Sequence, residues 1–232
     1  MQSPLAILNT LCWHLDEGFP VEESYFNNAV EIHAHETPMT AVPGDDTLPR
    51  ALIVDDEKEV ADAYALRLRG VCAVETVYDG ADALSRIDEQ SYDLVLLDRH
   101  MPGLSGDEVL ERLAARAFTG RVIMVTAIDP GFDVLDMPFD DYLCKPLERE
   151  DLRTAVTQQC QILGYELLGE YFSAESTRSV LEAELQSDAL AENEKYQQLS
   201  QRATHLRNRA RRLLPDADAL FDAFDAVGRE GR

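Results

Sequence analysis

Lysine is nearly missing from this chain. Among 232 residues only Lys58, Lys145 and Lys195 carry it, and arginine supplies the rest of the positive charge. Before Arg50 there is no lysine or arginine at all. Against 21 basic residues stand 44 acidic ones, for a formal net charge of -23. So acidic a surface opposes non-specific attachment to DNA or anionic lipid, and it keeps a protein soluble in a salty cytoplasm. Long apolar runs are also missing, so no segment is read as spanning a bilayer and no membrane partner is expected. The N-terminus lacks the basic flank and apolar core of a secretory signal, and the expected location is cytoplasmic. Cys12, Cys72, Cys144 and Cys160 are scattered without a C-x-x-C pair. That spacing excludes a zinc ribbon and a disulfide framework and leaves them as small reduced hydrophobes.

What is present begins in earnest at Arg50. Residues 1–49 are rich in loop chemistry (Gly18, Pro20, Asn27-Asn28, Pro38, Pro43-Gly44) and read as a poorly ordered extension with a short amphipathic helix over Pro4 to Leu15. His33 and His35 beside Glu31 and Glu36 read as solvated side chains, with a metal clip as the alternative. Met39 is an alternative start. From Ala51 onward short apolar runs alternate with helical patterns. Strands are expected at 51–54, 71–78, 94–97, 121–126 and 141–144, and helices at 57–70, 81–87, 109–120 and 147–163. Alternation of this length gives a doubly wound α/β fold, a parallel sheet with helices on both faces. One link departs from the pattern. Asp129-Pro130-Gly131 and Pro138 leave room for barely two turns between the last two strands.

The chemistry gathers where these strands end. The run Leu94-Val-Leu-Leu97 leads straight into Asp98, and a Pro102-Gly103 turn follows. In an open parallel sheet the ligand crevice lies at the carboxyl ends of the strands. Asp55-Asp56, Asp98, Thr126 and Lys145 all fall there. Phosphoryl transfer asks for this set, since it needs positioning and neutralisation of spreading negative charge. Asp98 is the candidate nucleophile, forming an aspartyl-phosphate. The three carboxylates call for a hard divalent cation, Mg²⁺. Lys145 is a point charge for the phosphoryl oxygens, and Thr126 offers a hydroxyl donor. For each residue alone, helix capping or a surface ion pair explains it as well; the four together do not fit that explanation. A haloacid-dehalogenase-like phosphatase would need a second Asp two residues after the first. His100 stands there, and that reading is set aside.

Residues 50–164 resemble the receiver domain of two-component response regulators. The resemblance rests on Leu-Ile-Val-Asp55-Asp56, Leu-Leu-Asp98-Arg-His-Met-Pro102-Gly, Met-Val-Thr126-Ala and Asp-Tyr142-Leu-Cys-Lys145-Pro146. It implies a five-stranded sheet of order 2-1-3-4-5 and phosphorylation of Asp98 by a sensor histidine kinase or phosphotransfer protein. It also implies direct Mg²⁺ ligation by Asp56 and Asp98, Asp55 acting mainly through water, and the His100 carbonyl as a further ligand. Thr126 and Tyr142 would be the switch pair, the Lys145-Pro146 bond would be cis, and His100 and Ile128 would tune dephosphorylation. Catalysis would stop at the protein's own phosphorylation and dephosphorylation. The short fourth link departs from the family and puts dimerisation by that surface in doubt.

Residues 165–232 read as helical output. Ser173 or Ser176 is expected to cap a helix carrying Val180, Leu181 and Leu185. Tyr196, Leu199, Ala203, Leu206, Ala210 and Leu213 form a three-four seam, suited equally to an intramolecular hairpin and to a dimer. Arg202, Arg207, Arg209, Arg211 and Arg212 cluster without an acid between Tyr196 and Leu214. Pairing with the acidic stretch Glu182 to Glu194 is the expectation; contact with nucleic-acid phosphates is the alternative, though no DNA-reading motif accompanies it. By pattern and context this region resembles the HalX domain of halophilic archaea.

Overall fold

Five short strands form the centre of the molecule, the inner three almost wholly buried and the two edge strands partly exposed. The computed structural model describes residues 47–127 and 130–230. The expectations placed on residues 1–46, including His33, His35 and Met39, and the role given to Ile128 lie outside the described residues. The strands are β1 (Arg50–Val54), β2 (Ala73–Val77), β3 (Leu94–Leu97), β4 (Arg121–Thr126) and β5 (Asp141–Cys144). All pairings are parallel and the order is β2-β1-β3-β4-β5, as the sequence predicts. Because successive side chains point to opposite faces, each inner strand feeds two cores. Ala51, Ile53, Leu94, Leu96, Ile123 and Val125 enter one core, while Leu52, Val54, Val95, Leu97, Val122 and Met124 enter the other.

The connecting helices are α1 (Lys58–Arg67), α2 (Gly80–Glu89) and α3 (Gly106–Ala115). Local chemistry starts two of them. The Asp79 carboxylate accepts from the backbone N–H of Ala81 and Asp82, both at 2.9 Å. Ser105 and Glu108 form a reciprocal capping box at the head of α3. Helix α1 packs on the first core through Ala61, Tyr64 and Leu68, and α2 and α3 on the second through Ala83, Leu84, Val109, Leu110 and Leu113. The expected shortfall between β4 and β5 is real. Phe132–Asp136 makes only a 3-10 helix, with Phe132 and Leu135 exposed.

The helix after β5 corrects the sequence reading. It does not end near Leu163. α4 runs unbroken from Arg149 to Glu184, and Ser173 and Ser176 lie inside it rather than capping a successor. Gly164, just past the expected end, serves close approach instead. A Cβ there would lie 2.6 Å from Leu214 Cγ and 3.1 Å from Leu213 Cβ. The division placed at 164/165 therefore falls within one helix. Beyond it come α5 (Ser187–Ala191), α6 (Glu194–Leu213), capped by Asn193, and α7 (Ala217–Glu230). The seam residues Ala203, Leu206, Ala210 and Leu213 are buried within this chain, in the same core as Leu163, Leu167 and Tyr171 of α4. Of the two uses open to the seam, the hairpin is the one observed. Phe221 of α7 is fully buried, edge-on to Tyr171 at 4.9 Å between centroids. The apolar core thus runs without a gap from the sheet, along α4, into the helical hairpin.

Candidate functional site

Three loops meet at the carboxyl ends of β1, β3 and β5. Val54, Leu97 and Cys144 are the last residues of those strands, so Asp55, Asp98 and Lys145 each occupy the first position beyond. Registry does the rest. Val54 pairs with Leu97, and the backbone N–H of Asp98 donates to Val54 O at 2.8 Å. The backbone N–H of Lys145 donates to Thr126 O at 2.7 Å, which holds the lysine beside the end of β4. Gly106 closes the loop after Asp98: a Cβ at that position would sit 2.1 Å from the Asp98 carbonyl oxygen. No residue with a side chain fits there without moving the backbone of Asp98.

The side chains converge. One carboxylate oxygen each from Asp55, Asp56 and Asp98 falls within a 4.8 Å group. Asp55 and Asp98 are buried while Asp56 is exposed, so the group opens to solvent on one side. Lys145 Nζ lies 2.7 Å from Asp55 Oδ2 and 3.2 Å from Asp98 Oδ1. The remaining oxygens have backbone partners: Asp55 Oδ1 accepts from the Glu57 N–H at 3.0 Å, and Asp98 Oδ2 from the His100 N–H at 3.2 Å. Burial pushes the Asp98 carboxyl above its ordinary value, with Lys145 pulling the other way and Asp55 adding to the rise. Burial also works against the Lys145 ammonium, but its contacts with Asp55 and Asp98 outweigh this and hold it above the usual lysine value. The site is therefore a charge balance, two buried carboxylates sharing one partly buried ammonium. The donor set is oxygen only and partly open, which fits a hard divalent cation such as Mg²⁺.

The other expected residues are placed as follows. Thr126 is buried at the end of β4 on the same edge of the sheet. Tyr142 is half-buried on β5, opposite Met124, with its ring 5.5 Å from that of Phe139. The His100 side chain is exposed. The Lys145-Pro146 bond is cis.

A second carboxylate escaped notice in the sequence. Asp93, directly before β3, is as buried as the core at 1% exposure. It takes Arg209 Nη2 at 3.1 Å, Arg212 Nη2 at 2.9 Å and the Arg50 backbone N–H at 3.0 Å. The expected partners of the arginine cluster were wrong. Arg202 pairs with Glu170, Arg211 with Asp218, and Arg207 donates to the Tyr171 hydroxyl and lies over the Phe221 ring. Glu182 is taken by Arg178 and Tyr196 instead. The available signal was a carboxylate abutting a buried strand, which must find a cation or a cluster of donors. Its guanidinium partners lie more than a hundred residues away, beyond the reach of local pattern.

A family model described as the response regulator receiver domain matches residues 51–157, and one described as the HalX domain matches residues 161–227. A Haloferax volcanii protein provisionally named a transcriptional regulator is 38% identical over 192 residues, covering 74% of this chain and 33% of its own. The transcriptional regulatory protein CutR of Streptomyces coelicolor is 42% identical over 107 residues, 44% of this chain and 49% of its own. The chain thus spans a third to a half of the curated relatives it matches. Among solved structures, the signal receiver domain of a provisionally named Luxo repressor protein from Vibrio parahaemolyticus superposes with a TM-score of 0.51 at 27% identity, over 53% of this chain and 98% of that one.

Proposed function

Because residues 51–157 are a response regulator receiver domain and residues 161–227 a HalX domain, we propose that the chain is the response regulator of a two-component phosphorelay. It takes a phosphoryl group onto Asp98 from a sensor histidine kinase or a phosphotransfer protein and passes the signal to its C-terminal helices. The observation that carries this reading is the convergence of Asp55, Asp56 and Asp98 at the sheet's carboxyl edge, with the Lys145 ammonium between Asp55 and Asp98.

Each residue has a task in that reaction. A carboxylate oxygen of Asp98 attacks the phosphorus of the donor's phosphohistidine; the P–N bond breaks and its electron pair leaves with the imidazole. Lys145, already between Asp55 and Asp98, meets the negative charge that spreads over the phosphoryl oxygens. Thr126 donates its hydroxyl to one of those oxygens, and Tyr142 follows as the aromatic half of the switch. Asp55, Asp56, Asp98 and the His100 carbonyl would hold Mg²⁺, which when bound neutralises charge between carboxylates and phosphate. His100 tunes the lifetime of the phosphorylated state. The protein acts on no substrate beyond its own phosphorylation and dephosphorylation.

Incubation with acetyl phosphate and MgCl₂ should add one phosphoryl group by intact mass, and Asp98→Asn should add none. Labelling of the variant at the wild-type rate would remove Asp98 from its assigned role.

A second reading, a DNA-binding transcription regulator under receiver control, is favoured by the Haloferax relative, which is named as a transcriptional regulator and matches most of this chain. Against it, all five arginines of the cluster have partners inside the molecule.

A further inference from the structure

Strand β3 has a buried carboxylate at each end. Asp98 follows it and Asp93 precedes it, and the four residues between are at most 1% exposed. Each carboxylate is neutralised by cations from far along the chain: Lys145 at one end, Arg209 and Arg212 at the other. The first pair belongs to the phosphorylation site. The second has no part in that chemistry, and charge burial of this kind is costly unless the partners meet in good geometry with their hydrogen bonds satisfied.

What the second pair holds is helix α6. Among the described residues, the hydrogen bonds and ion pairs that tie α6 to the receiver sheet and its loops run from Arg209 and Arg212 to Asp93 and from Arg209 to Thr119. The hairpin's own cohesion is separate from these bonds. Leu213 and Leu214 pack on Gly164 of α4, and Phe221 packs on Tyr171. The C-terminal turns of α6 are thus pinned to the receiver by a polar clamp whose centre is one carboxylate. Arg202, Arg209 and Arg212 follow one another at helical spacing along a single face. Glu170 and Asp93 occupy all three. A cleft of about 500 Å³ opens beside this row, lined in part by Arg202, Leu206 and Arg209 of α6 and by Thr119 and Arg121 of the receiver.

We propose that Asp93 is an autoinhibitory anchor: while its carboxylate holds Arg209 and Arg212, the arginine face of α6 is closed to phosphate-bearing partners, and loss of the anchor opens it to the phosphates of nucleic acid. The clamp supplies the chemistry that phosphate would, a bidentate anion between two guanidinium groups, so the two compete for the same donors. The anchor goes beyond the receiver's phosphorylation, and its test does not depend on that reaction.

The test uses the full chain and a short DNA duplex of arbitrary sequence, with binding followed by fluorescence anisotropy across a salt series. Asp93→Asn should bind roughly tenfold or more tightly than wild type, with a log–log salt slope steeper by about two, the charge of two freed arginines. Adding Arg209→Gln and Arg212→Gln to that variant should return binding to the wild-type level. Asp93→Glu keeps the charge while shifting the carboxylate; it serves where Asp93→Asn fails to fold, and it should bind more tightly than wild type by a smaller factor. Wild-type affinity in a folded Asp93→Asn or Asp93→Glu protein would overturn the anchor. So would tight binding that survives loss of both arginines.

Discussion

Asp98 and Asp93 show how differently one residue type can be used five positions apart. Asp98 has a partly open site and a carboxyl raised by burial. An acid whose folded value is raised costs stability once ionised. The cost is absent below the unfolded value and grows as pH rises through the folded one. In metal-free buffer, Asp98→Asn should therefore melt above wild type at neutral pH, and the gap should shrink as pH falls through the carboxylate range. A gap that widens on acidification would contradict the assigned burial effect. Asp93 is the opposite case, a closed site with two guanidinium groups and a backbone donor. Its neutralisation leaves two largely buried cations without their anion, and a loss of about 3–5 kcal/mol is expected by urea denaturation. The Asp98 site was legible because each member stands next to an apolar strand end, within a few residues of the signal. Asp93 was visible as a residue and invisible as a partner.

At the scale of elements, short-range chemistry and packing have separate shares. The start of α3 is local. Glu108 bonds the Ser105 backbone N–H and hydroxyl, and those bonds hold its carboxyl below the ordinary value. A depressed acid contributes stability above its unfolded value and loses it as pH falls through the folded one. Glu108→Gln should therefore lower the melting temperature at pH 7 and leave it nearly unchanged near pH 3, read by circular dichroism. The length of α4 is not local. Gly164 is tolerated inside the helix because Leu214 fills the space a side chain would take. Gly164→Ala gains in helix propensity, about 1 kcal/mol, but forces Leu214 aside at a cost of about 1–3 kcal/mol. The expected balance is neutral to destabilising in the whole chain, with hydrogen exchange rising around Leu213 and Leu214. The 3-10 segment at Phe132–Asp136 was anticipated, since prolines and glycine bracket it and no packing could restore the missing turns.

For the molecule as a whole, the decisive fact is the shared core. One apolar cluster contains Ile53 and Leu96 of the sheet, Leu163 and Leu167 of α4, and Leu206 and Phe221 of the hairpin. Receiver and helical module are therefore expected to melt together, in one calorimetric transition whose van't Hoff and calorimetric enthalpies agree. Two resolved transitions over these residues would show that α4 is a linker and not a beam. Phe221→Ala should carry the same message from the far end. It is expected to cost about 3–5 kcal/mol and to lower the stability of the sheet along with that of the hairpin.

The sequence by itself determined the sheet, its order by resemblance, and the five residues at its carboxyl edge. Apolar runs of strand length, each ended by a charged or hydroxyl residue, carry that information within a few positions. It also placed a short link between β4 and β5, because proline and glycine act on their own backbone. Only the tertiary structure decided that α4 passes the expected boundary, that the seam closes on its own chain, and that Arg209 and Arg212 belong to Asp93. Each of those depends on side chains distant in sequence meeting in space. A glycine marks a helix end or a close contact according to what packs against it, and an arginine faces water, phosphate or a buried acid according to which is brought near. The fold supplies that neighbour through packing that no local pattern records.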